Sequence, residues 1–389
     1  MNPTMAARAS APGPPLYVIC IEEQHMPELT AAMKEITGFT AITVVFLIAG
    51  AVLIESNRTV DRSARNVFLV SIIMLLFITI VDWFTYLTNG QYPELRGIHT
   101  AAMAITFAVA PAIPVAIANV IFPDANVRWV MIVLVAQAVF QFVGIFGGFV
   151  FYVDESNTYH RGPLYIVYMA VSTLASVYLV VESVRAGRTY QSASFAAVIV
   201  ILICLAVGVL IQVFDGQMRT TWPTVAMTVI LYFQFYSDMI LRSDPLTKLL
   251  NRRSYEEFLA KPTFPCVFVA IDVDDFKHAN DTYGHAFGDF CLSRIAGMIR
   301  KVFGSAGLCY RSGGDEFVVI MTKRLTEVDA LADEMMASTA RARDEEPRLP
   351  GVSIGYAVAE AGCTDIAMVI DEADRAMYET KRDHKAGER

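Results

Sequence analysis

Apolar residues crowd the first 240 positions into seven long runs, at about 36–54, 66–87, 98–121, 128–150, 163–182, 194–214 and 221–240, each near the roughly 20 residues a bilayer-crossing helix needs. Seven such runs in succession predict an α-helical seven-span membrane domain over 36–240, preceded by a segment 1–35 on the outer side. After Leu241 the pattern changes, and charged residues rise from roughly one in ten to roughly three in ten. A separate soluble domain over 241–389 is the expectation.

Within that second part the periods alternate. Asp244-Pro245 reads as a helix start, Asp as the cap and Pro in the first helical position, with the helix running to about Ala260. Phe264 to Ile271 is a nearly continuous apolar run, the mark of a strand buried on both faces, and it ends at Asp272. A long helix over 281–303 follows, with Phe287, Phe290, Ile295 and Ile299 among its apolar positions. Leu308 to Tyr310 and Phe317 to Ile320 read as the strands of a hairpin that turns at Gly313-Gly314. A helix at about 325–342, a strand at 351–359 and a helix at about 366–383 complete an α/β domain, a central sheet with flanking helices.

Loop charge predicts orientation. Arg58, Arg62 and Arg65, then Arg128, then Arg185 and Arg188 fall in alternate connections. The other connections hold Arg96, Arg161 and Arg219 beside Glu94, Asp154, Glu155 and Asp215. The positive-inside rule places the N-terminus outside and residue 241 onward in the cytoplasm of a multi-pass inner or plasma membrane protein. No basic region followed by an apolar core opens the chain, so no cleavable signal peptide is expected, and Ala11 to Pro15 reads as an unstructured lead-in. Six cysteines with no Cys-x-x-Cys pair suggest neither a disulfide framework nor a zinc site. A net charge of −8 argues against nucleic acid as a partner.

The richest chemistry lies at Arg311-Ser312-Gly313-Gly314-Asp315-Glu316-Phe317. Paired glycines permit a tight turn and a close ligand approach, and the two acids after them can present oxygen ligands to Mg²⁺. Asp272, at the end of the buried strand, could converge with Asp315 on the same ion, Val273 lending a backbone carbonyl. Metal bridging of phosphate oxygens would neutralise charge as a hydroxyl attacks phosphorus.

These residues resemble a known family. Asp244-Pro245-Leu246-Thr247, Asn251-Arg252-Arg253, Asp272 to Lys277, Asn280-Asp281, Gly284-His285, Gly288-Asp289, Gly313 to Phe317, Ser353-Ile354-Gly355 and Ala373-Asp374 through Tyr378 and Lys381 are similar, in order and spacing, to the GGDEF domain of diguanylate cyclases. The resemblance implies a palm-like fold related to nucleotide cyclases and the condensation of two GTP into cyclic di-GMP with loss of pyrophosphate. It implies a pair of Mg²⁺ or Mn²⁺ ions per site, at Asp272, Val273, Asp315 and Glu316. Glu316 is either a second-metal ligand or the base for the attacking 3′-hydroxyl. Asn280 and Asp289 match guanine contacts, where a carboxylate accepts the two N–H groups that adenine does not offer. Lys277 and Lys381 match phosphate contacts, and Lys385 falls four residues beyond Lys381. Each domain holds one GTP, so the resemblance implies a homodimer. The alternative function is a non-catalytic GTP-binding GGDEF module, a membrane-anchored sensor or scaffold.

Departures from the family pattern are informative. Gly304 and Gly307 stand where many members carry the Arg and Asp of a product-binding inhibitory site, so product inhibition through that site is expected to be absent. Lys248 and Leu250 replace a usual Gly and Pro, and Asp383-His384-Lys385 replaces the usual Gly-Arg-Asn. Arg311 suits an ion pair as well as a ligand contact, and His285 a turn. In the membrane part, His160-Arg161-Gly162-Pro163-Leu164-Tyr165 resembles the seven-span sensor region preceding some histidine kinases and diguanylate cyclases, which leaves the signal unnamed. Asp82 lies inside the second run, Pro111 and Pro114 should kink the third, and His25, His99 and His160 fall at the outer edge.

Overall fold

The computed structural model describes residues 16–122, 128–190, 195–214, 220–262 and 264–387. Ala11–Pro15, Asp215 and Arg219 lie outside the described residues, as do the side chains of His25, Arg188 and Lys385. The first half comprises α1 (Leu16–Ser56), α2 (Arg62–Thr88), α3 (Arg96–Val109), α4 (Ala112–Ile121), α5 (Arg128–Gly147), a hairpin of β1 (Phe151–Val153) and β2 (Tyr159–Arg161), α6 (Tyr165–Thr189), α7 (Phe195–Phe214) and α8 (Thr221–Arg242).

Six stretches are long and apolar enough to cross a membrane, where seven were expected: Met33–Ser56, Arg62–Thr88, Pro93–Ile121, Arg128–Gly147, Tyr165–Gly187 and Thr221–Arg242. α7 is not among these six: the stretch within it that counts as apolar is Val198–Gly208, and several flanking side chains of this 20-residue helix lie outside the described residues. Phe68, Ile72, Leu75 and Ile78 recur every three or four residues on α2 and are fully buried. They meet α8, where Phe233 packs edge-on against Phe68 at 5.2 Å. Large apolar side chains face outward elsewhere, Phe146 at 93% and Trp129 at 71% exposure, a surface suited to lipid.

The third run is kinked as expected: Ala110 and Pro111 keep right-handed helical backbone, and Pro93–Ile121 remains one candidate span. Pro111 lacks an N–H, and its ring clashes with the carbonyl one turn back, so α3 ends at Val109 and α4 starts at Ala112. The carbonyl of Phe107 that would have met that N–H accepts instead from Nε2 of Gln137 on α5, at 3.0 Å. Lipid cannot satisfy a stranded carbonyl, so a kink at this depth needs such a donor.

The second half comprises α9 (Arg252–Ala260), β3 (Cys266–Val273), α10 (Phe276–Tyr283), α11 (His285–Phe303), β4 (Gly307–Arg311), β5 (Glu316–Met321), α12 (Val328–Glu345), β6 (Val352–Ala359) and α13 (Ile366–Gly387). The sheet order is β4-β5-β3-β6, with every pairing antiparallel. Val267, Val269 and Ile271 of β3 join a core with Leu292, Ile295 and Ile299 of α11. Phe268 and Ala270 join another with Ala357 and with Ala373 of α13. Alternate side chains thus enter opposite cores, which is why the strand reads as an unbroken apolar run. On β6, a Cβ at Gly355 would strike the backbone of Ala376 and Met377, so that glycine sets how closely α13 lies on the sheet.

Two helix boundaries differ from expectation. Asp244 does not start a helix: its Oδ1 accepts from the N–H of Thr247 at 2.8 Å and from Oγ1 at 2.7 Å, closing a turn. Lys248 then adopts φ +60°, where the family carries glycine, and this left-handed residue stops helical propagation until Asn251 caps α9 through the N–H of Ser254. The helix expected over 281–303 is two helices, parted at Gly284 with φ +85°.

Candidate active site

The register of the sheet assembles the acids. Asp272, the penultimate residue of β3, pairs across with Glu316, the first of β5, while Ser353 of β6 faces it from the other side. Asp315 precedes Glu316 in the turn, and its carbonyl accepts from the N–H of Val273 at 3.2 Å. Neither Gly313 nor Gly314 has positive φ, so their value is not left-handed freedom. Gly313 supplies space: a Cβ there would lie 2.6 Å from Oε2 of Glu316, whose carboxylate folds back over the turn.

Arg311 clamps that turn. Its Nη2 and Nε donate to the carbonyl of Gly314 at 2.7 and 3.2 Å, and its Nη1 reaches both carboxylate oxygens of Asp244 at 3.2 and 3.3 Å. It is a structural ion-pair partner, largely shielded from water. The same stitch ties the domain to α8. Nδ2 of Asn251 donates to the carbonyl of Leu241 at 2.8 Å, and Oγ of Ser254 donates to that of Arg242 at 3.0 Å. Leu250, where a proline would have no N–H, donates to Cys309 of β4 at 3.0 Å.

Asp272 is buried and ion-paired with Nζ of Lys381, which reaches it from α13. Burial pushes its pKa above the usual carboxylate range against the pull of Lys381, and the charges of Asp315 and Asp274 add to the rise. Burial opposes the charge on Lys381, yet its hydrogen bond to Asp272 and the surrounding acids hold its pKa above the ordinary lysine range. Burial acts on the two in opposite directions, while the neighbouring acids raise both. Among the described residues no three carboxylate, imidazole or thiol groups close on one point. The donors on offer are all oxygens and the local charge is negative. That suits a hard divalent cation completing its shell with phosphate oxygens and water.

A network beside this cluster escaped the sequence reading. Oγ of Ser353 donates to Asp274 at 2.6 Å, and Nδ1 of His384 lies 3.3 Å from the other oxygen of Asp274. Ser353 lay in a recognised motif, and His384 marked a departure from it, but only register and the packing of α13 bring them together. A cavity of about 570 Å³ opens here, lined by Asp274, Arg343, Arg348, Lys381 and His384 among others. Asn280 lies on α10 and Asp289 on α11, just past that helix's first turn. Gly288 lets the carboxamide of Asn280 lie against that turn, because a Cβ would overlap its Oδ1. Asp289 itself is exposed, as is Lys277 on α10. Lys385 continues α13, its side chain outside the described residues.

Residues 241–386 match the family model described as "Diguanylate cyclase, GGDEF domain". The chain is 31% identical over 182 residues to the probable diguanylate cyclase DgcT of Escherichia coli K12, covering 42% of this chain and 40% of that one. It is 30% identical over 156 residues to the diguanylate cyclase DgcS of Shewanella oneidensis, covering 38% and 52%. The chain thus spans about half or less of the length of these curated relatives. Among solved structures, the GGDEF domain of DgcB from Caulobacter crescentus in complex with c-di-GMP matches at 29% identity and TM-score 0.32, over 36% of this chain and 90% of that one. The region after α8 is therefore an α/β GGDEF domain, following a helical region with six candidate spans.

Proposed function

We propose that this chain is a membrane-bound diguanylate cyclase that condenses two GTP into cyclic di-GMP and is regulated by its membrane helices. The observation that carries the reading is the sheet register that sets Asp272 opposite Glu316, with Asp315 in the adjoining turn and the cluster's negative charge in need of a cation. Asp272, Asp315, the carbonyl of Val273 and Glu316 would hold Mg²⁺ or Mn²⁺, which neutralises phosphate charge when bound. Asn280 and Asp289 read the guanine edge. Lys277, Lys381 and Lys385 hold phosphates, so Lys381 exchanges Asp272 for the nucleotide as substrate enters. Glu316, exposed at the mouth of the turn, serves either as a second-metal ligand or as the base for the 3′-hydroxyl.

One domain holds one nucleotide, and a homodimer brings two together for reaction. The membrane reading assigns 36–240 to the sensor, with α7 as a seventh span, the N-terminus outside and 241–389 in the cytoplasm, as loop arginines favour. A second reading, a non-catalytic GTP-binding module, draws on the Lys381 contact, which engages a metal-ligand carboxylate.

The test is cyclic di-GMP formation from GTP and Mg²⁺ by the full-length chain in nanodiscs, beside Asp315→Ala. Product from the native chain and none from the variant supports the cyclase. GTP binding without product from the native chain, at any protein concentration, supports the binding module.

A further inference from the structure

The helical half encloses a cavity of about 970 Å³, which no step of the cyclase reaction uses. Its wall includes both Thr221 and Tyr232 of α8, eleven residues apart, so it extends about 16 Å along that helix. The size suits a small organic ligand. Polarity divides it lengthwise. At the end near the β1–β2 hairpin the wall carries Asp82, Asn89, His99, His160 and Arg161; deeper in, Ile113, Ile117, Leu179, Ile201 and Val229 dominate. Pro111 and Pro114 of the kinked third run also line it, so the kink with its Gln137 splint shapes a cavity wall.

The polar end is built. Asn157, fully buried, donates through Nδ2 to the carbonyls of Thr88 and Gln91, both at 2.8 Å. Its Oδ1 can therefore only accept, and it lies 3.0 Å from Nδ1 of His99. That fixes the proton of the buried His99 on Nδ1 and leaves Nε2 as an acceptor. Of the formally charged side chains in this wall, Asp82 and Arg161 are opposite in sign, and His160 lies 2.8 Å from Asp154. A ligand bearing a net charge would lose its hydration without a surplus of opposite charge to meet it. A hydroxyl-bearing head meets acceptors on Asp82 and His99 and a donor on Arg161.

We propose that this cavity binds a neutral single-chain amphiphile of the monoacylglycerol class, its hydroxyl head at the His99–Arg161 end and its chain among α4, α6, α7 and α8. The proposal rests on these helices crossing a membrane and is independent of the chemistry of the C-terminal domain. The probe is 1-monolauroylglycerol with a photoreactive diazirine in its chain, applied to the full-length chain in nanodiscs and mapped by mass spectrometry.

Expected are adducts on peptides containing Ile117 and Val229, displaced by unlabelled monolauroylglycerol and at least tenfold less well by lauric acid or dodecylamine. Loss of one hydrogen bond in His99→Leu, or obstruction in Ser176→Phe, should cut labelling about tenfold. Adducts confined to outward residues such as Ile166 and Phe146, equal competition by a charged-head analogue, or native labelling in both variants would each overturn the proposal. If a variant aggregates, competition on the native chain decides. Failure of cyclase activity leaves this readout intact, so the two readings fail separately.

Discussion

Arg311 offers a measurable link between the catalytic turn and the exit of the last membrane helix. Replacing it with alanine removes donors to the carbonyl of Gly314 and to both oxygens of Asp244. The two side chains are 16% and 17% exposed, so the pair is only partly screened. Hydrogen bonds to charged groups contribute about 1.5–3 kcal/mol, and Asp244 keeps its two bonds from Thr247, so a coupling of about 1–2 kcal/mol is reasonable. That corresponds to roughly 5- to 30-fold faster local opening. Hydrogen exchange of the full-length chain in nanodiscs reads this at the amides of Ser312, Gly313 and Thr247, which bond within the two turns. A cycle of Arg311→Ala, Asp244→Asn and the double variant isolates the pair. Additive effects, or exchange at Gly313 that does not change with Arg311→Ala, would refute the clamp. The pair also sets a pH dependence. Burial pushes the Asp244 pKa up, but its Thr247 and Arg311 partners outweigh burial and hold it below the usual value. Its contribution is therefore present above the unfolded carboxylate pKa and lost as pH falls through the folded one.

Other outcomes follow from single contacts. Gly313→Ala should keep the fold by circular dichroism yet lower cyclic di-GMP formation roughly hundredfold, because the Cβ displaces the Glu316 carboxylate. Unchanged turnover would remove Glu316 from the reaction. Added cyclic di-GMP should not slow the proposed cyclase reaction through the site at Gly304 and Gly307; micromolar inhibition abolished by substitution there would contradict this. Gly355→Ala should destabilise the domain by about 1–3 kcal/mol through overpacking against α13, seen as a lower Tm. Burial pushes the thiols of Cys266 and Cys291 up to about 11, so at pH 8 maleimide should label Cys363 first and these two only after denaturation.

Much of the second half was legible because its signals are local or periodic. The strand ending at Asp272 announced itself by its apolar run, and the acid hairpin by its glycines. Hidden features depended on contacts distant in sequence. Lys381 meets Asp272, and His384 meets Asp274, only because α13 packs back on β6 at a distance that Gly355 permits. The late start of the first expected helix depended on one residue, Lys248, entering a conformation that lysine seldom adopts. In the membrane half, hydropathy marked each helix but not what they enclose. His99 looked like an outer-edge residue and is buried against Asn157, which polarity alone did not foretell.

The seam between α8 and the α/β domain leaves no slack. Leu241, Arg242 and Ser243 all have carbonyls held by Asn251 or Ser254, within a dozen residues of the last membrane helix. A joint fastened this way behaves as a splined shaft, in which angular phase is conserved from one end to the other. One residue added to α8 would turn the domain by about 100° and shift it by about 1.5 Å, whereas three or four would nearly restore its heading. Two such domains facing one another should therefore gain and lose their alignment with the helical period as the shaft is lengthened, so activity plotted against insertion length would oscillate rather than decay.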